Sequence, residues 1–119
     1  MGRDQDLRAR TSQFALRIVR LYRALPPNEE SRILGRQLLR SGTSIGANYR
    51  AACRARSRAE FIAKLGIVLE ESDETAFWLE LLVEAHIASH EQFDVLVKEA
   101  KELTSIFVTS ICTAKGIAS

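Results

Sequence analysis

A chain of 119 residues and 13.3 kDa, 46% hydrophobic and 27% charged, carries enough apolar side chain for one core and too much for a disordered chain. No run of about 18 uncharged apolar residues occurs, which excludes a membrane-spanning helix, and the polar residues 1–6 lack the apolar region of a signal peptide. Two cysteines, Cys53 and Cys112, make no disulfide framework, and the expectation is a cytoplasmic protein with reduced thiols. The net charge of +2 conceals an asymmetry. Residues 1–60 hold thirteen Arg and no Lys against five acids, a surplus of eight positive charges, and residues 61–119 hold four Lys and no Arg against ten acids, a deficit of six. Such a split predicts either a basic face for an acidic partner or basic helices paired with acidic ones, and the sequence leaves both open.

The pattern is helical throughout. Leu7, Phe14, Ile18, Leu21 and Leu25 recur with a 3.6-residue period and predict a first helix, ended by Pro26-Pro27 because proline excludes the helical conformation from the residue before it. Asn28 then caps a second helix, with Glu29 and Glu30 at its positive end and Ile33, Leu34, Leu38 and Leu39 as its apolar face. Two glycines and three hydroxyl residues in Ser41-Gly42-Thr43-Ser44-Ile45-Gly46 predict a kink or short break there, followed by helix through Ala47–Ala55. Alternatively, Gly42 and Gly46 allow a neighbouring helix to approach closely. The stretch lacks the Gly-Lys-Ser/Thr ending of a phosphate loop and no strand precedes it.

Ser57-Arg58-Ala59-Glu60 is a capping box that opens a third helix, spanning roughly 58–87. Ser89-His90-Glu91-Gln92 repeats the signature and opens a fourth, whose stripe is Phe93, Leu96, Val97, Ala100, Leu103, Phe107 and Ile111, with Gly116 near its end. Four amphipathic helices with short connections predict a single all-α domain over residues 1–119, an antiparallel up-down four-helix bundle with 1–6 and 115–119 frayed. The third helix carries two apolar stripes. Phe61, Leu65, Val68, Ala76, Leu79 and Leu82 suit the core. Trp78, Leu81 and Ala85, with Phe77 adjoining, lie on another face, since Leu79 and Leu81 differ by about 200° around the axis. A second apolar face predicts an interface with another copy of the chain, with Trp78 as an anchor.

No catalytic residue is expected. A di-iron bundle needs Glu-x-x-His on two helices, but Val83 and Ile87 stand three before His86 and His90, and no cysteine lies within ligand spacing of either histidine. No metal or other cofactor is therefore predicted. Glu70, Glu71, Asp73 and Glu74 have no nucleophile beside them and read as a solvated or Arg-paired face, and Cys53 reads as a small packed residue. The arginines carry more information. Arg32, Arg36 and Arg40 recur every four residues, and Arg50, Arg54 and Arg58 repeat that spacing. Planar, permanently charged guanidinium groups suit phosphate oxygens, so these six are the candidate nucleic-acid-binding residues. The competing reading sets them against Glu70, Glu74, Glu80 and Glu84 as ion pairs inside an assembly.

The run from Ser41 to Arg50, followed by Ser57-Arg58-Ala59-Glu60-Phe61, resembles the four-helix-bundle family of the 23S rRNA intervening-sequence proteins. The segment from Glu71 through Trp78 to Leu82 also matches one branch of that family. The likeness covers nearly the whole chain, and Arg40 corresponds to the family's basic residue before the Ser-Ile motif. Many members have Pro at the position of Gly46 and Glu at that of Ala51. The resemblance implies an up-down bundle assembled as a ring-like homopentamer, without established enzymatic activity. A similar fold in the basic, pentameric accessory proteins of diversity-generating retroelements implies RNA or DNA, and a nucleic-acid-processing protein, as partners. No membrane partner is implied.

Overall fold

In the computed structural model the backbone is described for residues 2–116 and the side chains for residues 6–116. Four helices follow in chain order: α1 (Gly2–Arg23), α2 (Glu29–Cys53), α3 (Arg58–Glu84) and α4 (His90–Lys115), with no strand among the described residues. Five-, four- and five-residue connections force each helix to turn back on its predecessor. The product is the predicted antiparallel up-down bundle, with α1 on α2, α2 on α3 and α3 on α4, and a long dimension of 45 Å. Of the termini expected to fray, Met1 and residues 117–119 lie outside the described residues.

The helix ends show why the chain turns where it does. Extended Asn28 accepts the Ser31 amide at 2.8 Å, and extended Ser57 accepts the Glu60 amide at 3.1 Å, each satisfying a donor that the first helical turn leaves without a partner. The second capping signature is only half realised, because Ser89 takes the N-cap position of α4 without a side-chain bond. The third helix ends at Glu84 rather than near Ile87. There the Ile87 amide reaches back to the Leu82 carbonyl and the His86 amide to that of Val83, both at 3.0 Å. This pattern puts His86 at a left-handed φ of 59° and stops the helix.

The core follows the predicted stripes of α1, α3 and α4. Phe14, Ile18, Leu65, Val68, Leu79, Leu82, Leu103 and Phe107 are each no more than 1% exposed, and the Tyr49 and Phe107 rings meet across it with centroids 5.8 Å apart. The α2 face is different from its reading. Ile33 is exposed, whereas Ser31, Gly35, Ser41, Gly42 and Gly46 are buried with Leu38 and Ile45. The expected break is absent, and α2 runs continuously through residues 41–46. The alternative, close approach, holds. A Cβ at Gly42 would lie 2.9 Å from both Cγ atoms of Ile18, and one at Gly35 would lie 3.1 Å from the Tyr22 ring and 2.8 Å from Leu25 just beyond α1, so α1 and the turn after it occupy the space that larger side chains would need.

Candidate nucleic-acid and assembly surfaces

The bundle puts the basic helices α1 and α2 side by side and the acidic helices α3 and α4 beside them, so the two halves meet along two seams. Ion pairs form at both. On the α2–α3 seam, Arg40 pairs with Glu74 and, at 3.4 Å, with Glu71. Glu74 also accepts the Trp78 indole N–H at 3.0 Å. On the α1–α4 seam, Arg10 bonds Glu99 through Nε at 2.9 Å and Nη2 at 2.7 Å, and Nη2 also reaches Glu102 at 2.8 Å. The pKa of each arginine is raised above its ordinary value, first by the hydrogen bond to Glu99 or Glu74 and then, against some desolvation, by the attraction of the paired carboxylates. Both stay charged across any working pH.

The six candidate arginines therefore divide. Arg40 is committed to α3. Arg32, Arg36, Arg50, Arg54 and Arg58 are exposed and have no ion pair among the described residues, although Arg32 Nε donates to the Asn28 carbonyl at 3.4 Å. Nor do Arg50, Arg54 and Arg58 form one helical ladder: Arg54 caps the C-terminus of α2, and Arg58 is the first residue of α3. They cluster with Arg56 around the α2–α3 turn, at one end of the molecule. Arg32 and Arg36 lie towards the other end of α2, about 33 Å and about 27 Å from Arg54 along the axis at 1.5 Å per residue. The exposed charge thus spans most of the bundle's length. Of the acids considered as partners, Glu74 meets Arg40 and Glu80 lies 3.7 Å from Lys101. Glu71, from the acidic cluster read as a solvated or Arg-paired face, is the second partner of Arg40.

On α3, Phe77 is 56% exposed and stands edge-on to Trp78 with ring centroids 4.9 Å apart. Trp78 and Leu81 are half-buried, and exposed Ala85 caps the end of the helix. Phe77 and Leu81 line a groove of about 550 Å³ between α3 and α4, rimmed by Asp73, Glu80, Glu84 and Lys101. Trp78 thus belongs partly to the Arg40–Glu74 network, and Phe77 is the residue presented outward. His86 follows α3 while His90 opens α4, and no group of three His, Cys, Asp or Glu side chains among the described residues could hold a metal ion. Nor is any described helix long and apolar enough to cross a membrane.

The fold is that of a small all-α four-helix bundle, basic on α1 and α2 and most acidic on α3. The 23S rRNA-intervening sequence protein family matches over residues 3–109, and the chain belongs to that family. It is also similar to a crystallised protein of unknown function from the S23 ribosomal protein family of Bacteroides thetaiotaomicron VPI-5482. The two are 41% identical, with a TM-score of 0.85 over 91% of this chain and 96% of the other. No curated protein matches.

Proposed function

We propose that the protein is a non-enzymatic, self-assembling bundle that binds RNA or other nucleic acid through Arg32, Arg36, Arg50, Arg54 and Arg58. The observation that carries this reading is the division among the arginines: α3 neutralises Arg40, while these five stay exposed without an ion pair among the described residues. Their charge is spread along α2 and its turn into α3, and of the five Arg32 lines a cleft, beside Tyr22 and Arg23. Contact is therefore with the backbone, without base preference, and weakens steeply with salt as counterions are released. Self-association uses the outward face of α3 around Phe77, Trp78, Leu81 and Ala85. The exposed phenyl ring beside a groove gives a second copy an apolar anchor, and the family resemblance makes five the expected number. Repetition of the arginines around such a ring raises affinity by avidity. A nucleic-acid-processing protein is the further partner this reading admits.

The second reading, a protein–protein scaffold, is favoured by the two seams, where Arg40 and Arg10 already pair with carboxylates. One experiment separates them. Arg36, Arg54 and Arg58 are replaced together by Gln, the oligomer is checked by sedimentation, and labelled RNA and DNA are titrated at two salt concentrations. Weakened binding with assembly intact supports nucleic-acid recognition. Absence of binding by the wild type at low salt, or collapse of the oligomer in the variant, supports the scaffold.

A further inference from the structure

The α1–α4 seam has a register, and that register leaves a gap. Arg10 lies opposite Glu99, which closes on it with two hydrogen bonds. Seven residues further along α1 stands Arg17, and seven residues back along antiparallel α4 stands Gln92. Two turns from the closed pair, the equivalent position therefore holds a neutral amide instead of a carboxylate. A cleft of about 250 Å³ opens there, lined by Arg17 and Arg20 from α1, Gln92 and Leu96 from α4, and Leu21. Leu21 and Leu96 are 2% and 3% exposed and give it an apolar floor. Neither arginine has an ion pair among the described residues. The nearest acids in sequence on α4, Glu91 and Asp94, are exposed and do not line the cleft, and Asp94 lies 3.9 Å from His90.

We propose that this cleft binds a phosphate group, with Arg17 and Arg20 as its cationic wall and the Gln92 amide as the opposing donor. Two guanidinium groups, one turn apart, can offer parallel N–H pairs from one side, and a neutral amide donates from the other without neutralising them. A tetrahedral phosphate carries more oxygens, and more negative charge, than a carboxylate and can accept from both walls at once. Leu21 and Leu96 lie beneath the cleft, while Arg17, Arg20 and Gln92 are exposed at its walls and open to an incoming anion. The phosphate comes either from a small phosphorylated molecule or from a polynucleotide backbone. The second source rests on the nucleic-acid reading above, and the first does not.

The register supplies its own test. Gln92→Glu puts a carboxylate where Glu99 stands against Arg10, so it should fill the cleft from within while folding and assembly persist. Arg17→Gln/Arg20→Gln removes the charge by another route. Circular dichroism and sedimentation establish that both variants are folded. Pyrophosphate is then titrated at constant ionic strength, with Arg Nε–H signals followed by NMR, and a short labelled RNA is titrated in parallel. The expected result is that wild type binds at Arg17 and Arg20 and that both variants bind about tenfold or more weakly, the scale of lost charge-assisted hydrogen bonds. Loss confined to pyrophosphate identifies a free-phosphate site, and loss shared by both probes identifies a cleft that takes phosphate from either source. Loss confined to RNA identifies a backbone site. If neither probe distinguishes wild type from the variants, the proposal is overturned. If RNA binding falls in Arg36→Gln/Arg54→Gln/Arg58→Gln but not in Gln92→Glu, and pyrophosphate does not bind, the cleft is refuted while the nucleic-acid reading stands.

Discussion

His86 takes a left-handed backbone so that the Ile87 and His86 amides can satisfy the last carbonyls of α3. A side chain at that φ costs roughly 1 kcal/mol that glycine does not incur. His86→Gly should therefore stabilise the protein by about 0.5 kcal/mol, after the greater freedom of glycine in the unfolded chain is subtracted, and thermal melts at one protomer concentration would show the gain. An unchanged or lower Tm would mean that the His86 side chain makes a contribution of its own. The sequence predicts α3 to roughly residue 87, since no glycine or proline there announces the stop at Glu84. The partners of Arg10 were equally hidden, whereas Glu74 stood among the acids weighed for Arg40. Each guanidinium was visible as a charge, but Arg10 and Glu99 are 89 residues apart, and only the register between helices decides which carboxylate reaches which arginine.

Among the elements, α2 departs furthest from its hydropathy. Its period was legible, and Leu38 and Ile45 are buried as a helical stripe requires. What hydropathy could not rank is the contact with α1, where glycine and serine are buried because the two backbones come close. Ile33, more apolar than any of them, points outward. A glycine that permits close approach has a sharp signature. In Gly42→Ala the new methyl would collide with β-branched Ile18, which is fully buried and has little rotamer freedom. Overpacking of about 1–3 kcal/mol should outweigh the gain of about 1 kcal/mol in helix propensity, leaving a destabilised protein. At Gly46 the nearest atom to the added methyl is the Thr11 carbonyl oxygen at 3.4 Å, an ordinary contact, so Gly46→Ala should be neutral or stabilising. Urea denaturation of the pair checks the contrast, and equal effects at the two positions would contradict the close packing of Ile18 on Gly42.

At the scale of the whole molecule, the charge split visible in the sequence becomes a basic side and an acidic side joined at two ion-paired seams. This arrangement pairs Arg10 and Arg40 with carboxylates of the same chain and leaves Arg32, Arg36, Arg50, Arg54 and Arg58 exposed. Four helices and their antiparallel order were legible from stripes, prolines and caps, and the surplus apolar face of α3 was legible in the offset of Leu81 from Leu79. Its composition was not. Trp78 turns towards Glu74, and Phe77 is left as the exposed ring. Phe77→Asp should accordingly preserve helicity and shift sedimentation towards smaller species, whereas unchanged assembly would place the interface elsewhere. The division of the arginines is tested most directly by measuring RNA affinity against salt for wild type, Arg40→Gln and the Arg36→Gln/Arg54→Gln/Arg58→Gln variant. The Arg40 variant should lose about 0.5 kcal/mol of stability, as a largely exposed ion pair does, and keep wild-type affinity and salt slope. The triple variant should bind more weakly, with a slope shallower by about one per phosphate contact removed. Equal losses of affinity in the two variants, or a wild type that does not bind at low salt, would contradict the account.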